Sequence, residues 1–214
     1  MAADGRRNSA VQVAVFAKAP VPGEVKTRLI PLLGAQDAAE LHATLVRRAL
    51  AVAREAAIGP LSLWCMPETG HPFFAACAEE FGATLQEQRG GHLGERMARA
   101  FERLLAAGPA LLVGADCPSL SAADLHAAAT SLATHDAVLQ PAEDGGYVLV
   151  GLAKAVPGLF EGIHWGEANV MRDSRVRLRT ACATWREMPV RWDVDRPEDY
   201  RRLLASGLLA EGGR

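Results

Sequence analysis

Three cationic side chains lie close together in a loop near the amino terminus that also contains two prolines and a glycine. The loop reads A-K-A-P-V-P-G-E-V-K-T-R-L over residues 17–29. Lysine acts on a phosphate as a point charge, whereas arginine holds phosphate oxygens with a planar fork. Backbone N–H groups at a strand-to-loop turn also favour anions. We expect a phosphate site formed by Ala17, Lys18, Gly23, Lys26, Thr27 and Arg28.

A solvated basic loop is the simpler interpretation of the same residues. The loop does not contain the G-x-x-x-x-G-K-[ST] pattern of a Walker A phosphate site. The patterns H-E-x-x-H, G-x-S-x-G and G-x-G-x-x-G are also absent from the sequence. The position of the loop directly after a predicted strand favours phosphate binding, because ligands of α/β proteins bind beyond the carboxyl ends of strands.

An acidic residue follows a short apolar strand pattern in the middle of the chain. Residues 111–120 read L-L-V-G-A-D-C-P-S-L, which places Asp116 at the carboxyl end of that predicted strand. A carboxylate in this position can hold Mg²⁺ or Mn²⁺ against a diphosphate. Capping of a turn or of the next helix is the alternative role for this side chain.

Two further acidic segments are candidates for the rest of the site. Residues 140–151 read Q-P-A-E-D-G-G-Y-V-L-V-G, where Glu143, Asp144, Gly145 and Gly146 either border a ligand or form a hairpin turn. Residues 192–200 read W-D-V-D-R-P-E-D-Y, in which Asp193 is a candidate second metal ligand. The Asp195 side chain is expected to cap the helix that follows.

Two weaker patterns contain aromatic or basic residues beside glycine. Residues 90–96, G-G-H-L-G-E-R, either contact a base or ribose or form only a loop and a helix start. Residues 161–166 place His164 and Trp165 between glycines. That pair either shapes an acceptor pocket or is a partly buried tryptophan beside a hydrogen-bonded histidine.

The elements that must position these residues alternate between strand and helix. Apolar runs predict strands at residues 11–16, 61–66, 110–114, 137–140, 147–151 and 187–192. Helical spacing predicts helices at 37–57, 73–81, 93–107 and 197–204, with another that Ser121 begins and Asp124 helps to cap. This alternation predicts an α/β protein with a mostly parallel sheet covered by helices on both faces.

Composition limits the classes of partner. Half of the 214 residues are hydrophobic, and the net charge of −2 gives no overall positive field for nucleic acid. The four cysteines form no C-x-x-C pair, so a structural zinc site is not expected. No signal-peptide pattern or membrane-length apolar run is present, and we expect a cytoplasmic protein that does not bind membranes. One domain is predicted at 11–208, with tails at 1–10 and 209–214.

The segments described above, in this order, resemble the bacterial DUF2064 family of nucleotide-diphospho-sugar transferase-like proteins. Members of that family are often described as glycosyltransferases of arsenosugar biosynthesis. The stretches that carry the resemblance span residues 15–199 and include V-F-A-K-A-P-V-P-G-E-V-K-T-R-L, H-L-G-E-R-M, V-G-A-D-C-P-S-L, P-A-E-D-G-G-Y-V-L-V-G-L, L-F-E-G-I-H-W-G and D-V-D-R-P-E-D. The resemblance implies a GT-A-like, three-layer α/β/α fold. The K-T-R-L loop is also similar to that of the phospholactate guanylyltransferases.

The resemblance implies roles for individual residues. Lys18, Lys26 and Arg28 would hold nucleotide phosphates, and Asp116 and Asp193 would hold Mg²⁺ or Mn²⁺. Asp116 and Asp144 are the expected catalytic carboxylates. The sugar or acceptor would be bordered by Glu143, Asp144 and Gly145. The residue patterns described above add Gly146, His164 and Trp165 as candidates for the same pocket.

Three activities agree with these residues. The family label favours a metal-assisted glycosyltransferase that moves a sugar from a nucleotide-diphospho-sugar to a small-molecule acceptor. GT-A glycosyltransferases usually carry D-x-D at the central strand end, whereas this chain has A-D-C at residues 115–117, which leaves room for nucleotidyl transfer from a nucleoside triphosphate. A nucleotide-binding protein without turnover is the third alternative. The sequence leaves the oligomeric state open, with a homodimer among the expected assemblies.

Overall fold

A computed structural model describes residues 10–209 of the chain. The tails predicted at 1–10 and 209–214 lie outside the described residues, apart from Ala10 and Leu209. Within the described range, no helix is both long and apolar enough to cross a membrane.

Seven strands of the described chain form one sheet with the spatial order β3-β2-β1-β4-β6-β5-β7. The strands are β1 Gln12–Lys18, β2 Leu61–Met66, β3 Thr84–Glu87, β4 Ala110–Gly114, β5 Ala137–Pro141, β6 Tyr147–Leu152 and β7 Trp185–Glu187. Strand β6 runs antiparallel to its neighbours β4 and β5, and the other pairs are parallel. The α/β prediction with a mostly parallel sheet is confirmed.

Helices cover both faces of the sheet. They are α1 Ile30–Leu33, α2 Ala35–Ala56, α3 Pro72–Phe81, α4 Leu93–Leu105, α5 Ala122–Ser131, α6 Val170–Thr180 and α7 Pro197–Ser206, and a single 3₁₀ turn, Thr27–Leu29, precedes α1. The central strand β1 is buried on both sides, with Val13 and Val15 in one core cluster and Ala14 and Phe16 in another. Helices α2, α3 and α5 contribute to the first cluster, and α4 and α6 contribute to the second.

A third and smaller cluster joins the basic loop to the C-terminal part of the chain. Leu29 from the 3₁₀ turn packs with Leu41 and Leu45 of α2 and with Trp192 and Val194. These side chains are nearly inaccessible to solvent, and burial of each contributes roughly 1.5–3 kcal/mol. The cluster therefore holds the two candidate segments, near residue 26 and near residue 193, against the same helix.

The capping prediction for α5 is confirmed. The Ser121 side chain accepts a hydrogen bond from the Asp124 backbone, and the Asp124 side chain accepts one from the Ser121 backbone at 3.0 Å. The buried Asp124 carboxylate also pairs with the Arg191 guanidinium at 2.7 Å. This second contact ties the segment before Asp193 to the start of α5.

The predicted strand at 187–192 is wrong in its bounds. Strand β7 covers Trp185–Glu187, and the next residues continue beside β5 without forming a regular ladder. Pro189 has no N–H to donate, which explains why the ladder stops. Strand β3 and helices α1 and α6 were not predicted, because β3 and α1 span only four residues each and α6 is rich in arginine.

Gly151 lets β6 pass between its two neighbours. A β-carbon there would lie 2.5 Å from the Leu111 side chain and 2.6 Å from that of Val138. We expect Gly151→Ala to lower the free energy of unfolding by about 1–3 kcal/mol through overpacking. Urea unfolding followed by circular dichroism would measure the change. Gly114→Ala is the matched control, because the nearest atom there is 4.0 Å away. Equal stability of the two variants would contradict this packing argument.

Candidate active site

A cavity of about 460 Å³ opens at the carboxyl ends of β1, β2 and β4. We call it the main cavity, and its lining includes Ala17, Lys18, Lys26, Thr27 and Asp116. The structure therefore brings most of the predicted phosphate-binding residues and the predicted metal ligand together. Gly23 shapes the loop with a φ of 90° but is not part of the lining.

The Lys26 side chain is the buried centre of the site. Its ammonium group lies 2.5 Å from Asp116 Oδ1 and donates to the Val194 carbonyl oxygen at 2.6 Å. Only 4% of the side chain is exposed, and the backbone of Lys26 adopts the left-handed conformation with φ 48°. This geometry turns Lys26 inward from the loop, so the ammonium group faces the end of β4.

His42 is a site residue that the sequence analysis missed. It lies on the buried face of α2, with Nδ1 3.7 Å from Asp116 Oδ1 and Nε2 3.1 Å from the Lys18 carbonyl oxygen. A buried polar residue inside the apolar stripe of α2 was the available signal for it. The histidine joins the end of β1 to the end of β4.

The Asp116 carboxyl is held in its ionised form. Burial acts to raise its pKa, but the charge of Lys26 outweighs burial, with the nearby His42 ring acting in the same direction, and the pKa is held well below its ordinary value. The backbone carbonyl of Asp116 also accepts a hydrogen bond from Val194 N at 2.9 Å. Asp116 is therefore a permanent anion at the wall of the main cavity, with half of its side chain exposed.

A second pocket of about 180 Å³ adjoins the main cavity, and Asp193 lines both. Asp144, Asp195, Arg28 and Arg196 also line the second pocket. The Arg28 guanidinium forms an ion pair with the Asp195 carboxylate, so Arg28 lies at this pocket rather than in the main cavity. The predicted capping role of Asp195 is wrong, since the Asp199 carboxylate accepts from the backbone N–H groups at the start of α7.

The Asp193 carboxyl has a strongly perturbed acidity. Burial and the nearby carboxylates of Asp116 and Asp144 raise its pKa to about 7, even though Lys26 acts in the opposite direction. A carboxyl with this pKa is poised between its neutral and charged forms near neutral pH. Perturbed carboxyls of this kind in a cleft are characteristic of functional sites.

The segment around Asp144 is the turn of the β5–β6 hairpin. The Asp144 carboxylate accepts from Gly146 N at 2.9 Å, and a β-carbon at Gly145 would lie 2.1 Å from the Ala168 carbonyl oxygen. The hairpin interpretation is therefore confirmed, and Gly145 has a packing role. Glu143 lines the second pocket but pairs with Arg202 at 2.7 Å.

The aromatic loop predicted for an acceptor lies beside the two pockets. Trp165 is partly buried and packs against Tyr147 and Phe160 with ring centroids 6.1 and 6.3 Å away, which agrees with the tryptophan part of the alternative interpretation. His164 is exposed. Neither residue is in the lining of the main cavity or the second pocket, whereas Tyr147 lines the main cavity.

The carboxylates of the site suit a divalent metal whose remaining coordination positions are filled by a bound substrate. In residues 10–209, no group of three or more histidine, cysteine, aspartate or glutamate side chains is arranged to hold a metal. Asp116 and Asp193 supply two carboxylates at one wall of the main cavity. Mg²⁺ is commonly bound by one or two carboxylates together with substrate phosphates. The residues present fit that arrangement.

Comparisons with known proteins agree with this fold. A model of the family DUF2064, described as an uncharacterized protein conserved in bacteria, matches residues 35–167. A protein from Desulfovibrio desulfuricans G20, provisionally assigned as a nucleotide-diphospho-sugar transferase, is 30% identical, with 93% of this chain and 88% of that chain covered and a TM-score of 0.84. A search of functionally curated proteins gives no match.

More distant structures share the fold at lower identity. Rv0371c from Mycobacterium tuberculosis H37Rv, solved in complex with manganese, is 22% identical over 92% of this chain and 99% of that chain, with a TM-score of 0.54. The inositol-1-phosphate CTP transferase from T. maritima is 12% identical over 96% and 98%, with a TM-score of 0.64. Their likeness establishes the common architecture.

Removal of the Lys26 charge should destabilise the protein. Lys26→Met leaves Asp116 Oδ1 and the Val194 carbonyl without their donor, and we expect the free energy of unfolding to fall by about 1–3 kcal/mol. The fall is moderate because water can partly solvate the Asp116 carboxylate. Urea unfolding of Lys26→Met, Asp116→Asn and the double variant would measure the coupling. The double variant should lose less than the sum of the single losses, and strict additivity would contradict the ion pair.

Neutralisation of Asp193 should stabilise the metal-free protein above neutral pH. Since the folded-state pKa of about 7 exceeds the ordinary value of 3.8, ionisation of Asp193 disfavours the folded state as the pH rises through 7. We expect Asp193→Asn to raise the free energy of unfolding at pH 8 in EDTA by on the order of 1 kcal/mol or more, which would appear as a higher melting temperature. The gain should vanish by about pH 4, where Asp193 is protonated in the folded and the unfolded protein.

Glu102→Gln on the exposed face of α4 is the control for this experiment, because it removes the same charge away from the site. Its effect on the melting temperature should be small at both pH values. A gain for Asp193→Asn that does not change between pH 8 and pH 4 would show that ionisation of Asp193 is not its cause.

Proposed function

The chain belongs to the DUF2064 family, and from this membership and the site geometry we propose that it is a glycosyltransferase. It would move a sugar from a nucleotide-diphospho-sugar to a small-molecule acceptor with the help of a divalent metal. The observation that carries the proposal is the pair of adjoining pockets that share Asp193. The main cavity has cations suited to phosphates, and the second pocket has carboxylates suited to hydroxyl groups.

The main cavity would hold the nucleoside diphosphate. Lys18, Lys26 and Thr27 lie at its wall, and the charge of a departing diphosphate is stabilised by cationic side chains of this kind. Lys26 is fixed by Asp116 and Val194 and needs no rearrangement to present a positive field. Preorganised charges of this kind favour the transition state, in which the leaving group gains charge.

Asp116 and Asp193 are the side chains that would hold the metal. A solved structure of a fold relative, Rv0371c, contains manganese, which supports a divalent metal in this architecture. When bound, the metal supplies Lewis-acid stabilisation of the diphosphate oxygens. The carboxylates supply the negative charge that the cation needs, and Lys26 keeps the Asp116 carboxyl deprotonated.

The second pocket would hold the sugar or the acceptor. Among the described residues, neither Asp144 nor Asp193 has an ion-pair partner, whereas Asp195 is paired with Arg28. Free carboxylates accept hydrogen bonds from hydroxyl groups and repel a phosphate. Asp144 would accept the proton of the acceptor hydroxyl as the hydroxyl oxygen attacks the sugar carbon and the bond from that carbon to the diphosphate breaks.

Nucleotidyl transfer is the second candidate, and one specific observation favours it. Arg28 and Arg196 both line the second pocket, where they could receive a phosphorylated substrate in place of a sugar. The single Asp116 at the end of β4, without a D-x-D pair, agrees with this alternative. In that reaction an oxygen of the phosphorylated substrate attacks the α-phosphorus, and pyrophosphate leaves.

Calorimetric titration of the purified protein would test the proposal. We expect a nucleotide-diphospho-sugar to bind in Mg²⁺ or Mn²⁺ and to lose about tenfold or more of its affinity in EDTA or in the Asp116→Asn variant. Release of free nucleoside diphosphate in the presence of candidate acceptors would report glycosyl transfer. Release of pyrophosphate from a triphosphate would instead establish nucleotidyl transfer.

Asp136→Asn is the matched control, since Asp136 pairs with Lys154 at the amino end of β5, on the edge of the sheet opposite the site, and lines neither pocket. It should leave metal-dependent binding unchanged. Tight binding with no release of either product would favour a nucleotide-binding protein without turnover. Equal binding in metal and EDTA would refute the metal-assisted mechanism.

A further inference from the structure

The side of the main cavity beyond β1 holds a cation that the proposed reaction does not use. Arg96 of α4 lies there, half-buried, and lines the cavity with Met66 and Leu93. Among residues 10–209, no carboxylate lies within ion-pair distance of its guanidinium, and its Nε is buried without a hydrogen-bond partner. Burial lowers the pKa of Arg96. A partly desolvated guanidinium with unused donors is costly unless a ligand supplies acceptors.

Gln88 presents the complementary group on the same side. It follows β3, is almost fully buried, and donates from Nε2 to the Trp64 carbonyl at 2.9 Å and to the Ala17 carbonyl at 3.3 Å. Both carbonyls accept only, so the amide nitrogen must face them. No donor within the described part of the chain contacts Oε1, which is therefore an available acceptor on a side chain that lines the main cavity.

The order of the strands separates this polar pair from the phosphate residues. Gln88 follows β3, and Met66, which the Arg96 guanidinium contacts, ends β2. Lys18 ends β1, and Asp116 follows β4 on the opposite side. A nucleotide whose phosphates lie at Lys18 and Lys26 would therefore extend its base across the strand ends toward Gln88 and Arg96.

We propose that Arg96 and Gln88 select the nucleobase, and that they accept guanine or cytosine in preference to adenine or uracil. The guanidinium fork needs two adjacent acceptors, and Gln88 Oε1 needs a donor beside them. Guanine offers O6 and N7 with an N1–H, and cytosine offers O2 and N3 with an amino group. Adenine has no two adjacent acceptors, because its amino group lies between N1 and N7 and C2–H lies between N1 and N3, and in uracil the N3–H lies between O2 and O4. The inference rests on the proposed function, because it assumes a nucleotide in the main cavity.

Titration of the full-length protein with GDP, CDP, ADP and UDP in Mg²⁺ would test this inference, with pyrophosphate as the base-free probe. The four ligands carry the same diphosphate, so their differences report the base. We expect GDP, CDP or both to bind roughly 10–100-fold more tightly than ADP and UDP. Arg96→Lys keeps the charge but removes the fork, and it should reduce that preference to about threefold or less without changing pyrophosphate affinity.

Arg99→Lys is the matched control, because Arg99 is exposed on the same helix and pairs with Glu95. Gln88→Met is a second variant that should weaken the preference, and its circular dichroism would show whether it folds. Equal, metal-dependent binding of all four ligands to the wild type would overturn base selection while the proposed function stands. Binding of none would overturn both. If Arg96→Lys weakened the affinity for pyrophosphate as much as the affinity for GDP and CDP, Arg96 would be assigned to the phosphates and the inference would be refuted.

Discussion

The buried ammonium group of Lys26 is the interaction on which the candidate site depends. One side chain joins three parts of the chain, because it neutralises Asp116 after β4, bonds to the Val194 carbonyl, and belongs to the loop after β1. Both partners would lose their donor if the lysine were elsewhere. The left-handed backbone at Lys26 is a local cost that this triple contact offsets. The loop, the strand end and the C-terminal segment are therefore fixed as one unit.

The same logic explains why carboxylates remain so close together in the site. Asp116 is compensated by Lys26 and His42, whereas Asp193 meets Asp116 and Asp144 with little opposing charge. The fold holds Asp193 there through anchors on either side of it, since Arg191 is bound to Asp124 and Val194 is bound to Asp116. Packing energy thus maintains an electrostatic arrangement that the isolated charges would avoid, and such arrangements are typical of sites that bind a cation or a proton.

Much of the architecture could be predicted from the sequence because the strands are apolar on both faces and the helices are amphipathic. The loop at Lys26 and the strand end at Asp116 were identified by residue type and by position after a strand. The sequence could not show that Arg28 pairs with Asp195 or that His42 faces Asp116, since these contacts depend on packing between distant segments. It also could not separate the two uses of the glycines after Asp144, because a hairpin and a close approach require the same residue type.

The contact between Lys26 and Val194 spans 168 positions of the chain. A contact of such long sequence separation requires closure of a long loop, which costs conformational entropy. During synthesis on a ribosome it cannot form until the later partner has been made. The sheet strands β1 to β6 all precede residue 153, so most of the hydrophobic framework can assemble before the site is closed. Closure of the site therefore depends on the last part of the chain, and a chain interrupted before residue 194 would lack the Val194 carbonyl that accepts from Lys26.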